Sequence, residues 1–307
     1  MEFYLNVDMP VPVRTISYAD PLLLVGSCFT EHISKQLGDL KFQVMQNPHG
    51  IVFDPGSVAQ SLLSYINGIP YEPSALFCHQ ELWHSWKHHS QFSHQDPQRA
   101  LELINGAIRE AHGWLKKARW LIISFGTAYQ YRLTPLAAIP DGMQVGDGVA
   151  NCHRAPAQWF SKTLMEIDEI HAMMSSALSQ VLTFNPAIRI LLTISPVRHL
   201  RDGVVENNRS KARLIEATHR LVRDFEQAEY FPAYELLIDG LRDYRFYDMD
   251  MVHPNYAATQ YVMEKFSGHW IEPSQREIME EVRHIVAARK HRVLHPCLLY
   301  TSDAADE

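Results

Sequence analysis

Gly26-Ser27-Cys28-Phe29-Thr30 sets a hydroxyl and a thiol side by side, directly after the apolar run Leu22 to Val25. A strand that enters a small-residue turn and then a helix fixes whatever side chain stands on the turn. Gly26 permits a tight turn, and the first helical turn leaves backbone N–H groups open to an anion. A thiol at that place is open to activation by the helix N-terminus. The same five residues also read as a structural corner, with Ser27 capping the helix and Cys28 packed as a small apolar group. Toward the other end of the chain stands Asp248-Met249-Asp250-Met251-Val252-His253-Pro254. Asp250 and His253 lie just before a helix that Pro254 helps to start. A carboxylate so close can hold the imidazole through Nδ1–H and leave Nε2 free as a general base. The competing reading is an Asp that caps the helix and a His on the surface.

These residues need a scaffold, and the chain alternates strand-like and helix-like blocks, the pattern of an α/β protein. Leu22–Val25, Trp120–Ser124, Ile188–Thr193 and Tyr234–Ile238 read as buried strands. Phe42–Met45 and Ile51–Phe53 read as short extended pieces, and Leu82–Trp86 as an aromatic extended segment. Helices are expected over Glu31–Leu40, Ser57–Ile66, 96–117, Gln158–Leu182, Asn207–Glu229, Asn255–Ser267 and Ser274–Arg289. Asp54-Pro55 and Asp96-Pro97 serve as start signals and Asn67-Gly68 as a stop. Residues 128–156, rich in Gly and Pro, read as a long irregular segment of the kind that carries function. Parallel strands joined by helices put ligand chemistry at the strands' C-terminal ends. The turns at Gly26-Ser27-Cys28, Ser124-Phe125-Gly126 and Ser195-Pro196-Val197-Arg198 all fall there.

The 307 residues are 46% hydrophobic and 21% charged, an ordinary globular composition, with a net charge of −7. That charge argues against a nucleic-acid binder, which carries a basic face. No apolar run approaches the length of a membrane span. Residues 1–13 lack a basic leader and do not read as a signal peptide. The cysteines, at 28, 78, 152 and 297, are scattered without a CxxC pair, so neither a disulfide framework nor a zinc knuckle is indicated. A cytoplasmic, reducing setting is the default. The final segment, Cys297 to Glu307, reads as the in-frame translation of a sequencing adapter. The expected organisation is one α/β domain over 1–296 followed by a non-native tail over 297–307.

Two further clusters could face a ligand. His79, His84, His88, His89 and His94 surround Trp83 and Trp86. Their spacing matches no standard zinc arrangement, so an aromatic wall facing the substrate is preferred to a metal site. Arg198, His199 and Arg201 follow the third strand. They suit a phosphate or carboxylate on the substrate, the alternative being ion pairs with Asp202 or Glu206.

Taken together, the two blocks resemble the SGNH/GDSL hydrolase superfamily, whose first block carries the nucleophile and whose last reads Asp-x-x-His-Pro. More narrowly, the chain resembles the GSCFA family, a bacterial group within it. The resemblance rests on Gly26-Ser27-Cys28-Phe29, Asn47-Pro48-His49-Gly50, Phe125-Gly126-Thr127-Ala128 and Asn151-Cys152-His153. It extends through Ser195-Pro196-Val197-Arg198-His199, Glu206-Asn207-Asn208-Arg209-Ser210-Lys211 and the Asp250–Pro254 block, over about residues 20–270. It implies a three-layer α/β/α sandwich with a mainly parallel sheet, SGNH-hydrolase-like and of flavodoxin-like topology, with insertions near 70–95 and 128–156 covering the active edge. It implies acyl-ester chemistry, as esterase or O-acyltransferase, with Cys28 or Ser27 as nucleophile, His253 as base and Asp250 orienting it. The superfamily's oxyanion hole would be completed here by Gly50 and Asn151, with Thr127 as a rival donor. Arg198, His89 and Thr127 would touch the substrate, a small-molecule or carbohydrate acyl compound, and no cofactor or metal would be needed. Two other functions stay open: a non-catalytic carbohydrate-binding domain on this fold, and a thiol-based transferase with a phosphorylated donor.

Overall fold

The computed structural model describes residues 5–290, so the tail expected over 297–307 lies outside the described residues. Ten strands occur among them: β1 Leu22–Gly26, β2 Val44–Gln46, β3 Phe77–His79, β4 Leu82–His84, β5 Trp120–Phe125, β6 Tyr129–Leu133, β7 Gly148–Val149, β8 Phe160–Leu164, β9 Arg189–Ile194 and β10 Ala228–Phe231. The helices are α1 Cys28–Asp39, α2 Pro55–Asn67, α3 Pro97–Lys117, α4 Ile167–Phe184, α5 Val204–Asp224, the single turn α6 Ala233–Glu235, α7 Tyr256–Trp270 and α8 Arg276–Lys290. The main sheet runs β10-β9-β5-β1-β2, with every pairing parallel. That is the flavodoxin-like order, whose switch point lies between β1 and β5.

The sheet is apolar on both faces because helices cover both. Side chains alternate across a strand. Leu23 and Val25 therefore join Leu62, Leu115, Leu178 and Leu214 in one core, beneath α2–α5. Leu22 and Leu24 join Ile33, Leu37, Phe266 and Trp270 in the other, beneath α1, α7 and α8. The result is the expected three-layer sandwich. The start and stop signals act as read: Asp54 and Asp96 cap α2 and α3, and Gly68 closes α2 with a left-handed φ of 61°.

Three sequence expectations are corrected. The fourth core strand is Ala228–Phe231, not Tyr234–Ile238. Ala228–Phe231 pairs with β9, Pro232 cannot donate to the ladder, and Tyr234–Ile238 falls in α6 and the π-turn that follows. The helix expected from Gln158 begins at Ile167. Phe160 and Leu164 have helical spacing, yet Phe160–Leu164 pairs antiparallel with Tyr129–Leu133. Residues 128–156 are accordingly not irregular throughout, since β6 and β7 lie within them.

The β3–β4 hairpin packs inward. Trp86 is 1% exposed, stacks on Phe77 at 3.7 Å and donates Nε1–H to the Ala138 carbonyl at 2.9 Å. His84 and His88 are buried beside it. His49 stacks on His88 at 4.2 Å, and neither His49 nitrogen has a hydrogen-bond partner. Burial drives the His49 imidazole down to about 3 and His153 down to about 4.

Two predictions follow from this packing. At Gly26, φ is 136° and an added Cβ would sit 2.1 Å from the Ser124 carbonyl oxygen. Gly26→Ala should therefore lower unfolding free energy by about 2–4 kcal/mol in denaturant titration. Gly106→Ala, in α3 with nothing within 4 Å, should be neutral or stabilising. The buried histidines are neutral when folded but take a proton near 6.5 once unfolded. The unfolded state then binds more protons below that value, so stability must fall as pH drops from about 6.5 toward 4. The fall is up to about 2 kcal/mol per buried imidazole by pH 5, measurable as a falling urea midpoint.

Candidate active site

A cavity of about 490 Å³ opens at the C-terminal ends of β1, β5 and β9. Ser27 and Cys28 reach it from the β1–α1 turn, Thr127 from the β5–β6 turn, and Asn151 from the segment after β7. Arg198 comes from the segment after β9 and His253 from the one before α7. The two ends of the chain thus meet in one place.

The Gly26–Thr30 turn is held from three sides. The Gly26 N–H donates to Asn47 Oδ1 at 2.9 Å, and Asn47 Nδ2 donates to Thr30 Oγ1 at 3.1 Å. Thr30 Oγ1 donates in turn to the Ser27 carbonyl at 2.6 Å, and the Ser27 N–H to the Ser124 carbonyl at 3.0 Å. Asn47 itself has φ of 40°, which Asn tolerates.

Within this frame the two candidates differ. Ser27 is 1% exposed; its Oγ accepts from the Phe29 N–H at 3.3 Å and shares a hydrogen bond with Ser124 Oγ at 2.9 Å. It is the N-cap of α1. Cys28 is the first helical residue and is part-exposed, and no side chain among the described residues hydrogen-bonds its Sγ. Burial pushes its thiol up, while the Lys211 charge and the first-turn amides pull it down.

His253 is fixed by Asp250. Its Nδ1 lies 2.6 Å from Asp250 Oδ2, and Asp250 Oδ1 accepts from the N–H groups of Val252 and His253 at 2.9 and 3.0 Å. Those bonds hold the Asp250 carboxyl down to about 2. Asp250 does not cap the following helix. Asn255 does, through Oδ1 and the Ala258 N–H at 3.1 Å. The Arg198 N–H donates to the Val252 carbonyl at 3.1 Å, joining the loop after β9 to the histidine loop. No hydrogen bond links Cys28 to His253 among the described residues, and such contacts commonly tighten only with substrate bound.

The remaining expected residues separate. Asn151 lines the cavity, and its Oδ1 takes the His153 N–H at 2.8 Å, which leaves Nδ2 as a donor. Gly50 does not reach the cavity: its N–H is engaged by the Asn47 carbonyl at 2.7 Å, and it packs against His89 Cβ. The N–H of Cys28, an orphan of the first helical turn, is the available backbone donor. Thr127 lines the cavity, but its N–H goes to the Phe53 carbonyl and its Oγ1 to Ser210 and the Tyr129 N–H. His89 is not at the cavity either. It caps a short 3₁₀ turn by accepting from the Gln91 N–H, because the histidine-rich hairpin turns its aromatic face to the protein interior. That hairpin still braces the site, since the Ala150 N–H donates to the Trp86 carbonyl at 2.8 Å.

Arg198 lies over the Tyr247 ring at 4.1 Å and the Tyr244 ring at 5.1 Å. Its expected carboxylate partners are engaged elsewhere: Asp202 by Lys162, Glu206 by Tyr129 and Arg209. Among the described residues neither Arg198 nor Arg201 forms an ion pair. Lys211, 1% exposed, stands behind the cavity wall, and its role was not read from the sequence. The signal was legible: Asn207, Ser210, Lys211, Leu214, Ala217, Thr218 and Leu221 form the buried stripe of α5, and a charge on such a stripe is rare.

Solved structures similar to this chain include two esterases. A carbohydrate esterase of family 3 from Talaromyces cellulolyticus is similar at 8% identity and TM-score 0.38, over 85% of this chain and 99% of that one. An acetyl xylan esterase from the rumen bacterium Butyrivibrio proteoclasticus is similar at 12% identity and TM-score 0.36, over 90% and 65%. A comparison with curated protein sequences returns no match. Residues 21–266 match the GSCFA family, and the chain belongs to it.

Proposed function

We propose that the chain is an acyl-ester hydrolase or O-acyltransferase working through Cys28, His253 and Asp250. The carrying observation is the division of labour on the turn. The Ser27 hydroxyl is buried in two hydrogen bonds, whereas Cys28 faces the cavity that holds an Asp-anchored His253. Cys28 Sγ attacks the acyl carbon and its proton passes to His253 Nε2. The developing oxyanion takes hydrogen bonds from the Cys28 N–H and Asn151 Nδ2, each donor worth about 3 kcal/mol in the transition state. The alkoxide leaves with the proton from His253, and the thioester is then opened by water or a sugar hydroxyl that His253 deprotonates. Tyr129 and Tyr131 line the cavity, and aromatic walls suit a carbohydrate ring.

The test is hydrolysis of p-nitrophenyl acetate and of acetylated oligosaccharides. Cys28→Ala should remove activity by at least about 100-fold, and Asp250→Asn should lower kcat by about 10²–10⁴ with little change in KM. Ser27→Ala should lower the melting temperature through the lost cap and keep a Cys28-dependent rate. Asp250 stays ionised throughout the working range, and burial raises the thiol, so the rate should climb as pH rises past neutrality. Full activity in Cys28→Ala would sink the reading. Carbohydrate binding with no turnover in wild type would favour a binding domain.

A second reading has one observation in its favour. Arg198 and Arg201 face the cavity without a carboxylate partner among the described residues, which suits an anionic donor group. If phosphorylated acyl or sugar donors are used, they should raise the melting temperature of wild type and not of Arg198→Ala. Equal shifts in both would exclude that role for Arg198.

A further inference from the structure

The segment Glu206-Asn207-Asn208-Arg209-Ser210-Lys211, the first turns of α5, is unexplained by the triad. Three of its side chains tie α5 to the segments that follow β5 and β9. Asn207 Oδ1 accepts from the His199 N–H at 2.9 Å, and Ser210 Oγ accepts from the Ala128 N–H at 2.7 Å. Lys211 Nζ donates to the Gly126 carbonyl at 2.7 Å and to the Ser195 carbonyl at 2.6 Å. Gly126 and Ser195 line the same cavity as Cys28. Lys211 thus sits under the cavity floor, clamped between the ends of β5 and β9.

A buried ammonium needs a compensating charge, and two neutral carbonyls supply only part of one. Among the described residues Lys211 has no carboxylate within ion-pair distance. The Tyr234 ring stands 5.8 Å from its Nζ, and the titratable groups that feel its charge are Cys28, which lines the same cavity as the Gly126 and Ser195 it clamps, and His199 on the loop after β9. Of these Cys28 is the one that becomes an anion in the proposed reaction. Around Cys28 the other influences are Glu31, which opposes a thiolate, and the N–H groups of Cys28 and Phe29, which favour it.

We propose that Lys211 is the positioning residue that makes Cys28 a nucleophile, its clamped ammonium stabilising the thiolate from beneath the cavity floor. The inference rests on the reading of Cys28 as nucleophile. Burial draws the Lys211 amine down to about 7, while the Cys28 thiolate pushes it back up. The two groups therefore titrate as a pair, each favouring the charged form of the other. The lysine's hydrogen bonds also hold the ends of β5 and β9 together, but that structural duty would be met by any donor of the same reach. The electrostatic duty requires the positive charge.

The experiment is alkylation of Cys28 by iodoacetamide from pH 5.5 to 10, followed on the Cys28 peptide by mass spectrometry so that exposed Cys78 does not interfere. It needs no substrate. In Lys211→Met the midpoint of the profile should move up by about one pH unit, a roughly tenfold lower rate at neutral pH. Lys211→Arg should restore part of the shift. An unchanged profile in a folded Lys211→Met protein overturns the proposal. If Lys211→Met does not fold, Cys28→Asp and Cys28→Asn decide. A carboxylate above a buried cation should melt higher than the isosteric amide at pH 7, and an equal or lower melting temperature overturns the proposal. A shifted alkylation profile without any ester turnover would leave Lys211 in place and remove the acyl-transfer reading. Turnover with an unshifted profile would do the reverse.

Discussion

The close approach of β1 to β5 at Gly26 governs the rest of the site. Gly26 is in register with Ser124, and an added methyl would meet the Ser124 carbonyl at 2.1 Å. That contact lets the Ser27 N–H donate to the same carbonyl and turns the chain sharply into α1. The turn occurs at the switch point of a parallel sheet, where neighbouring connections leave on opposite faces and a crevice must open. A bulkier residue at position 26 would part the strands and move Cys28 away from the crevice.

The polar groups around this turn are almost all engaged. Asn47 ties Gly26 to Thr30, Ser124 ties Ser27, and Lys211 ties Gly126 to Ser195. Such saturation lowers the cost of burying polar groups and locks one geometry. It also isolates what is left: the Cys28 thiol, the Asn151 amide and the outer nitrogen of His253. Under the proposed reading, chemistry falls to the groups that structure does not use. The histidine arm is built on a different principle, since Asp250 and His253 are half-exposed and stand on a loop that backbone bonds stitch to the segment after β9.

Much of the scaffold was legible because its signals are local. Asp54-Pro55, Asp96-Pro97 and Gly68 mark helix ends through their own side chains and φ, and Leu22–Val25 is apolar on both faces as a covered parallel strand must be. Errors arose where a partner far away in sequence chose the conformation. Phe160–Leu164 became a strand because Tyr129–Leu133 stood ready to pair, and Ala228–Phe231 took the edge position because β9 was free there. Gly50 and His89 were placed at the site by pattern, yet a turn bond to Asn47 and an inward-facing hairpin remove them from it.

By itself the sequence determined the inventory: a small-residue turn after an apolar strand, an Asp and a His three positions apart, and α/β alternation. Those are properties of neighbouring residues, and neighbouring residues can be read from a string. Only the tertiary structure decided that the Ser27 hydroxyl is tied into side-chain hydrogen bonding while the Cys28 thiol is not, that Asn151 rather than Gly50 faces the cavity, and that Lys211 is clamped to the Gly126 and Ser195 carbonyls. Each of those outcomes depends on hydrogen bonds and burial between segments far apart in sequence: Ser27 and Ser124 are 97 positions apart, and Lys211 and Gly126 are 85. Burial and hydrogen-bond satisfaction are set by what packs against a group. That information exists only once the chain has closed on itself.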